Sequence, residues 1–316
     1  MRSFRFGLLL ERFDDPRYVL DMARRAEGEG FSTFLIRDHL IDGPFGPQYA
    51  PWATLASVAQ VTRTLRVGTL VVANDFRHPA VLAKEVTTLD QLSGGRVELG
   101  LGAGFLREEF ERTGLTFYPN QIRVDRMTES LQTLDLLLRG SRVTHRGEHY
   151  VFDEFVNFPP PVQRPRPPIL VGGAGRRVLS LGAQCADIVA LLSAPLGGGV
   201  LVDSAEARSA RNVARQVDVV RKAAGERTQD LELSVFATLI GAENRKDAAD
   251  KLARQRGWAV TPEDVLEMPT VLVGGTEQIV DDLERRRAEL GISYIVVRDS
   301  QFADTARVVA RLAGAR

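Results

Sequence analysis

The stretch Ile169-Leu-Val-Gly-Gly-Ala-Gly-Arg-Arg-Val-Leu179 has the pattern of a buried strand, a glycine-rich turn and the start of a helix. Glycines let the backbone turn sharply and come close to a ligand. The first N–H groups of a helix have no partner inside it, and the helix dipole favours an anion there. The stretch therefore indicates a phosphate site. The alternative is a tight strand-to-helix turn without a ligand.

Strand and helix patterns alternate on both sides of this stretch. The turn lies past the middle of the chain, which is a poor match to a dinucleotide-binding Rossmann fold, whose glycine-rich turn follows the first strand. Short and nearly continuously apolar segments are typical of buried parallel strands. Eight such segments are predicted: 4–10, Thr33–Ile36, 65–73, 96–101, 169–171, 187–192, 231–240 and 294–297.

A helical pattern follows each predicted strand. This favours an α/β fold, a closed (β/α)8 TIM barrel formed by 1–316 as a single domain, over an open doubly wound sheet. An insertion over 140–168 precedes the fifth strand, with a predicted hairpin turn at Arg146-Gly147 and a proline-rich segment. Ligand sites of such barrels lie at the carboxyl ends of the strands, so the residues that follow each strand matter most.

Composition excludes several classes of protein. The 316 residues include 41 basic and 41 acidic side chains, which gives no support for a nucleic-acid or anionic-membrane partner. Cys185 is the single cysteine, so an internal disulfide or a cysteine-cluster metal site is excluded, and no other metal-ligand cluster is evident. The sequence has no signal peptide and no apolar run long enough to span a bilayer, which predicts a soluble cytoplasmic protein.

Two acidic groups and one histidine follow the first two strands. Asp38-His39 offers a carboxylate and an imidazole, and His39 is the best candidate for a general acid or base. The alternative is that Asp38 binds local backbone N–H groups and His39 packs. Glu11 follows the first strand and is either a further acid/base group or the partner of an arginine.

A second glycine-rich segment, Gly100-Leu-Gly-Ala-Gly104, leaves the fourth strand. Its glycines would allow a flat or bulky ligand to approach the backbone. Glu108 and Glu109 follow and either contact a polar ligand or supply acidic charge to the first turn of a helix. Because no nucleophile elbow occurs in the sequence, we expect a bound cofactor to supply the reactive chemistry.

Several motifs together resemble those of the luciferase-like monooxygenase superfamily, and especially its coenzyme F420-dependent oxidoreductases. The resemblance extends over nearly the whole chain in order. Its motifs are Asp38-His39, Leu65-Arg-Val-Gly-Thr69, His78-Pro-Ala-Val-Leu-Ala-Lys-Glu-Val86, Thr88-Leu-Asp-Gln-Leu-Ser-Gly-Gly-Arg96, Gly100-Leu-Gly-Ala-Gly104, Pro165-Arg-Pro-Pro-Ile-Leu-Val-Gly-Gly173 and Val273-Gly-Gly-Thr-Glu277.

The resemblance implies a (β/α)8 barrel that forms a homodimer and holds coenzyme F420, or alternatively FMN, in its mouth. It places Asp38 and His39 against the ring system and a non-proline cis peptide between Leu70 and Val71. It also implies that Gly172, Gly173 and Ala174 contact the cofactor phosphate. Ala73 and Glu108 are implied to contact other parts of the cofactor. A basic groove for the polyglutamate tail of F420 would draw on Arg12, Arg37, Arg107, Arg176 and Arg177.

The sequence departs from the sugar-phosphate dehydrogenases of this branch. They carry a Trp shortly after Asp-His and a Glu after the glycine-rich segment, where this chain has Gly43 and Phe105. This argues against glucose-6-phosphate and weakly favours an apolar or mixed substrate. The leading hypothesis is an F420-dependent oxidoreductase that transfers a hydride between the deazaflavin C5 and a small organic substrate. The first alternative is an FMNH2-dependent monooxygenase that uses O2 and takes its reduced flavin from a separate cofactor reductase. The second is a non-catalytic cofactor-binding protein.

Overall fold

The computed structural model describes residues 2–192 and 203–312, together with the backbone of 196–197 and 200–201. The strands described are β1 (Arg5–Leu9), β2 (Thr33–Ile36), β3 (Arg66–Thr69), β4 (Val72–Ala73), β5 (Val97–Gly102), β6 (Arg142–Arg146), β7 (Val151–Val156), β8 (Ile169–Gly173), β9 (Ile188–Leu191), β10 (Leu196–Gly197), β11 (Val200–Leu201), β12 (Glu232–Phe236), β13 (Thr238–Gly241), β14 (Val271–Gly274) and β15 (Ile292–Arg298).

The helices described are α1 (Pro16–Gly28), α2 (Pro51–Val61), α3 (Pro79–Ser93), α4 (Arg107–Thr113), α5 (Asn120–Leu138), α6 (Arg176–Cys185), α7 (Ala205–Arg208), α8 (Ala210–Ala224), α9 (Arg245–Arg256), α10 (Pro262–Glu267), α11 (Thr276–Leu290) and α12 (Phe302–Leu312). Short 3-10 turns lie at Asn74–Phe76, Gly225–Gln229 and Asp299–Gln301. The sequence predicts a last helix ending at Ala313, which lies outside the described residues. None of the described helices carries an apolar stretch of the length that a bilayer crossing requires.

Eight parallel strands form a closed ring in the order β3-β2-β1-β15-β12-β9-β8-β5. The pairing of β3 with β5 completes the ring and sets Val67 opposite Val97. The predicted (β/α)8 TIM barrel is therefore confirmed. The insertion before β8 is confirmed too, and its first part is the predicted hairpin, formed by β6 and β7.

Two predicted strands are divided in the structure. The segment 65–73 is interrupted at Leu70-Val71, so that β3 ends and β4 resumes the pairing with β5. The segment 231–240 is interrupted at Ala237, because the chain changes its partner there. The N–H of Ala237 still donates to Val296 of β15, whereas the N–H of Thr238 donates to Thr270. From that point β13 pairs with β14, a strand that the sequence pattern did not predict, in a small separate sheet.

A polar cluster fills the amino-terminal end of the barrel. The Arg5 guanidinium lies 3.0 Å from the Glu98 carboxylate and 2.9 Å from the Glu232 carboxylate. The buried Tyr294 hydroxyl donates to Glu98 at 3.0 Å. Buried charges require partners of this kind. With this end filled by side chains, open space is left at the carboxyl ends of the strands.

Glu27 of α1 holds the chain just before β3. Its carboxylate accepts the N–H groups of Arg63, Thr64 and Leu65 at 2.8, 2.6 and 2.9 Å. Burial alone would raise the pKa of Glu27, but these hydrogen bonds outweigh it and lower the pKa to about 2. A lowered pKa in the folded state stabilises the protein above the unfolded pKa of 4.5, and this stabilisation is lost as the pH falls towards 2.

We therefore expect Glu27→Gln to lower the free energy of unfolding at neutral pH by about 1 kcal/mol, a value reduced for the partial exposure of the site. The difference between the two proteins should disappear at acid pH, where the native carboxyl is also neutral. Urea denaturation of both proteins at several pH values measures it. A difference that does not change with pH would contradict the role of the carboxylate.

Candidate active site

A cavity of about 620 Å³ opens at the carboxyl ends of the barrel strands. This is the end of a (β/α)8 barrel at which active sites occur. Most of the residues singled out in the sequence lie in its wall: Asp38, His39, Leu70, Val71, Ala73, Gly172, Gly173, Ala174 and Arg176. Glu11 and Glu108 are not among the described residues of the wall.

The glycine-rich turn between β8 and α6 forms one side of the cavity. Gly175 is the N-cap residue of α6, and no side chain of the described residues accepts a hydrogen bond from the first turn of the helix. The free N–H groups of that turn are available to an anion. The side chain of Arg176 is exposed and forms no ion pair with any described residue. The turn therefore has the donors and the positive charge that a phosphate requires.

The peptide bond between Leu70 and Val71 is cis, as the resemblance implies. Both residues lie in the cavity wall next to the turn. The Val71 side chain packs towards two neighbouring strands. A β-carbon added to Gly102 of β5 would lie 2.5 Å from its Cγ2, and one added to Gly172 of β8 would lie 3.1 Å from its Cγ1.

The second glycine-rich segment has a packing role that the sequence did not predict. A β-carbon on Gly100 would collide with the carbonyl oxygen of Thr69 in β3. Gly102 gives space to Val71, as described above. Gly100 and Gly102 therefore accommodate the neighbouring strand at its interruption. Gly102 and Gly104 also lie in the cavity wall, so the approach of a ligand to this backbone stays a prediction. Gly173 is likewise required by packing, because a β-carbon there would lie 2.5 Å from Cγ1 of Val178 in α6.

Asp38 positions the backbone of the cavity wall. Its buried carboxylate accepts two hydrogen bonds from Arg77, at 2.5 and 3.2 Å, and one from the N–H of Ala73, at 3.3 Å. Among the described contacts, this carboxylate forms no hydrogen bond with the imidazole of His39. Asp38 instead holds the chain that leaves the interrupted strand.

Glu109 of α4 is the carboxylate that contacts His39. Its Oε1 lies 3.0 Å from Nδ1 of His39 and accepts the N–H of Leu40 at 2.7 Å. If the Glu109 carboxylate accepts this hydrogen bond, Nδ1 of His39 is the donor. No hydrogen bond to Nε2 occurs among the described residues. The imidazole packs against two aromatic rings that also contact each other, with centroids 4.6 Å away for Phe45 and 6.0 Å away for Phe105.

Glu108 is placed away from the cavity. It is exposed and lies 3.3 Å from Arg112, one helical turn further along α4. Consecutive helical residues point in directions about 100° apart, so only one of the two adjacent glutamates can face inwards. The structure turns Glu109 inwards, with 2% of its surface exposed. The cofactor contact expected of Glu108 is therefore not supported.

Glu11 is held by two arginines. One carboxylate oxygen lies 2.6 Å from Arg37, and the other lies 3.0 Å from Arg298. With both oxygens in ion pairs, Glu11 has the role of an arginine partner that the sequence left open, and the acid/base role is not supported. The sequence did not predict that Arg298 belongs to this site, because its contact with Glu11 joins the first and last barrel strands.

The packing of Val71 on Gly102 is testable through stability. Gly102→Ala should lower the free energy of unfolding by about 1–3 kcal/mol, the usual cost of overpacking a filled interior. Removing the opposing methyl groups in the double variant Gly102→Ala/Val71→Ala should recover part of that loss relative to the sum of the single variants.

Gly28→Ala is the matched control for this experiment. A β-carbon at Gly28 would meet no atom within 4 Å, and we expect a change within about 0.5 kcal/mol. Urea denaturation of the wild type, the two single variants, the double variant and the control provides the comparison. Equal effects at the two glycines would show that Val71 is not confined by Gly102.

Comparison with known proteins agrees with this geometry. The family model described as luciferase-like monooxygenase matches residues 4–289. An F420-dependent glucose-6-phosphate dehydrogenase of Nakamurella multipartita is 33% identical over 177 residues, which are 54% of this chain and 51% of that protein. An FMNH2-dependent dimethylsulfone monooxygenase of Pseudomonas fluorescens is 26% identical over 255 residues, 78% of this chain and 65% of that protein.

The matches to these relatives are partial: the chain spans about half the length of the curated relatives it matches, such as the glucose-6-phosphate dehydrogenases. The fold match is more extensive. The coenzyme F420-dependent tetrahydromethanopterin reductase of Methanopyrus kandleri superposes with a TM-score of 0.76 at 18% identity, over 98% of both chains. The family model covers most of the sequence and the fold agrees, so this chain belongs to the luciferase-like monooxygenase family.

Proposed function

We propose that the chain is an oxidoreductase that binds coenzyme F420 in this cavity and exchanges a hydride with a small organic substrate. The observation that carries the proposal is that His39, the Leu70–Val71 bulge and the open amino terminus of α6 line one cavity. Relatives named as F420-dependent dehydrogenases support the choice of cofactor.

The residues present fit a cofactor of this class. The turn of Gly172, Gly173 and Ala174 presents backbone N–H groups, and Arg176 adds a positive charge for the ribityl phosphate. Leu70 and Val71 form an apolar ledge beside this turn. When bound, the deazaflavin would supply the carbon that accepts or gives the hydride. The protein itself supplies binding, orientation and a group that moves a proton.

His39 is the group that we assign to proton movement. When a hydride leaves the carbon of an alcohol, the O–H proton must pass to a base, and the reverse reaction needs an acid. Nε2 of His39 is the ring nitrogen left free, because Nδ1 is bound to Glu109. Glu109 is then a positioning residue that fixes the ring and its tautomer.

The surroundings of His39 favour a substrate with an apolar body. Phe45 and Phe105 form a cluster of three rings with the imidazole. Phe105 stands where the sugar-phosphate dehydrogenases carry a glutamate, so the polar side chain that they have at this position is missing. We therefore do not propose glucose-6-phosphate as the substrate.

An FMNH2-dependent monooxygenase is the second candidate function. The relative in Pseudomonas fluorescens, which matches a larger share of this chain than the dehydrogenases do, favours it. The phosphate turn would serve either cofactor. Substrate-dependent oxygen consumption in the presence of FMN and a flavin reductase would indicate the monooxygenase. Its absence would favour the F420-dependent oxidoreductase. Homodimer formation and a cytoplasmic location remain predictions from the resemblance and the sequence.

His39→Ala tests the assigned role. The F420-loaded protein is incubated without oxygen with a panel of alcohols as hydride donors and enones as acceptors, and the visible absorbance of the oxidised deazaflavin is followed. We expect kcat to fall by about 10²–10⁴-fold, the usual contribution of a general acid or base. Cofactor affinity should change less than about tenfold. Full turnover with normal cofactor binding would show that the role is wrong.

Glu109→Gln tests the positioning of His39. We expect a loss of about tenfold or more in kcat with KM and cofactor affinity nearly unchanged, because the neutral amide no longer selects the tautomer. Glu108→Gln, one residue away on the exposed face of α4, is the matched control and should retain wild-type kinetics. Equal kinetics for the two variants would contradict the positioning role of Glu109.

A further inference from the structure

Two arginines share one carboxylate at the cavity. Arg37 and Arg298, called here the arginine pair, lie 2.6 and 3.0 Å from the two oxygens of Glu11. Two guanidinium groups and one carboxylate leave a net charge of +1. Arg37 is only 7% exposed. The buried Asp299 carboxylate also acts on its charge, but the oxygens of Asp299 accept hydrogen bonds from the N–H groups of Arg12 and Ser300 and form no ion pair with either arginine among the described residues.

Both members of the arginine pair lie in the cavity wall, whereas Glu11 does not. Among the described residues, no acceptor other than Glu11 binds their guanidinium N–H groups. Each also lies against an aromatic ring. The guanidinium carbon of Arg37 is 4.4 Å from the centroid of Phe45, and that of Arg298 is 4.4 Å from the centroid of Phe236. The remaining donors are thus fixed in orientation and available to a ligand in the cavity.

A second group of the same composition lies in the same wall. Arg208 and Arg256 bind the two oxygens of Asp203 at 2.5 and 2.7 Å. Burial lowers the pKa of Arg298, Glu11 raises it, and the charges of Arg37 and Arg256 lower it again, which reflects the proximity of these cations. This part of the wall has an excess of positive charge.

The arginine pair faces the phosphate turn across the barrel. Arg37 follows β2, Glu11 follows β1 and Arg298 ends β15, and these three strands are adjacent. In the ring of eight strands, β1 and β8 are separated by three strands in either direction. The cavity therefore has two anion-binding regions on opposite sides.

We propose that the arginine pair binds an anionic group of the substrate, so that the substrate is an organic anion whose apolar body lies against Phe45, Phe105 and Phe236. This rests on the proposed function, in which the turn at β8 is occupied by the cofactor phosphate. The glutamate tail of F420 offers the same carboxylate chemistry. It is attached through that phosphate, at the opposite side of the cavity, which favours the substrate as the source of the anion.

Benzoate and benzamide are suitable probes, since they share a ring and differ in charge. Calorimetric titration at low ionic strength is carried out on the apo-protein and on the F420-loaded protein. We expect benzoate to bind about tenfold or more tightly than benzamide, as for a charge-assisted hydrogen bond. Equal binding of the two, or no binding of benzoate, phenylacetate or benzenesulfonate, overturns the proposal.

Variants with opposite expected effects separate ligand binding from a structural role. Arg298→Gln and, separately, Arg37→Gln should weaken benzoate binding by about tenfold or more. Glu11→Gln should strengthen it, because the competing carboxylate is removed. Arg24→Gln, which removes an exposed arginine paired with Asp21, is the control and should have no effect. If Glu11→Gln and the arginine variants lower thermal stability without changing benzoate affinity, the ion pairs are structural and the proposal is wrong.

Cofactor titrations of Arg298→Gln identify the source of the anion. If this variant binds F420 more weakly but binds FMN, which has a phosphate and no glutamate, as well as the wild type does, the arginine pair serves the tail and the substrate assignment is overturned. Unchanged binding of both cofactors supports the assignment of the arginine pair to the substrate. If the wild-type protein binds no F420 at all, the proposed function fails. The benzoate titrations of the apo-protein still decide the role of the arginine pair.

Discussion

The packing of Val71 against glycines of two neighbouring strands shapes the cavity. The third barrel strand is interrupted after Thr69 and resumes at Val72, and the Val71 side chain occupies the space beside Gly102 and Gly172. Protein interiors are close-packed, so no additional atom fits at these positions without displacement. The interruption turns Leu70 and Val71 into the cavity wall next to the phosphate turn. The apolar ledge and the proposed anion site are thereby fixed relative to each other.

Carboxylates position the polar part of the site. Asp38 holds the N–H of Ala73, and Glu109 holds both the imidazole of His39 and the N–H of Leu40. Each carboxylate therefore joins two elements that are far apart in the sequence. Orientation by such hydrogen bonds is what allows a side chain to exchange a proton with a bound substrate in a defined geometry. Around the ring of strands, His39 follows β2, as Arg37 does, and two strands, β3 and β5, separate it from the turn at β8 on the shorter side.

The sequence predicted the features that depend on local pattern. Alternating apolar segments and helices predicted the barrel, and Gly172 to Gly175 predicted an open helix terminus. The cis bond after Leu70 followed from the family resemblance, because a continuous apolar strand pattern cannot reveal an interruption. Features that depend on contacts distant in sequence were missed or left open. They include the choice of Glu109 over Glu108, the change of partner at Ala237 and the contact of Arg298 with Glu11.

The central claim is that this cavity binds a deazaflavin through the turn between β8 and α6. Fluorescence-quenching titration of the apo-protein with F420 and, separately, with FMN tests it most directly. The account predicts F420 binding in the micromolar range or tighter, weaker binding of FMN, and a marked loss of F420 affinity in Arg176→Gln. Tight FMN binding with weak F420 binding would contradict the choice of cofactor, and F420 binding unchanged by Arg176→Gln would contradict the assigned contact of Arg176.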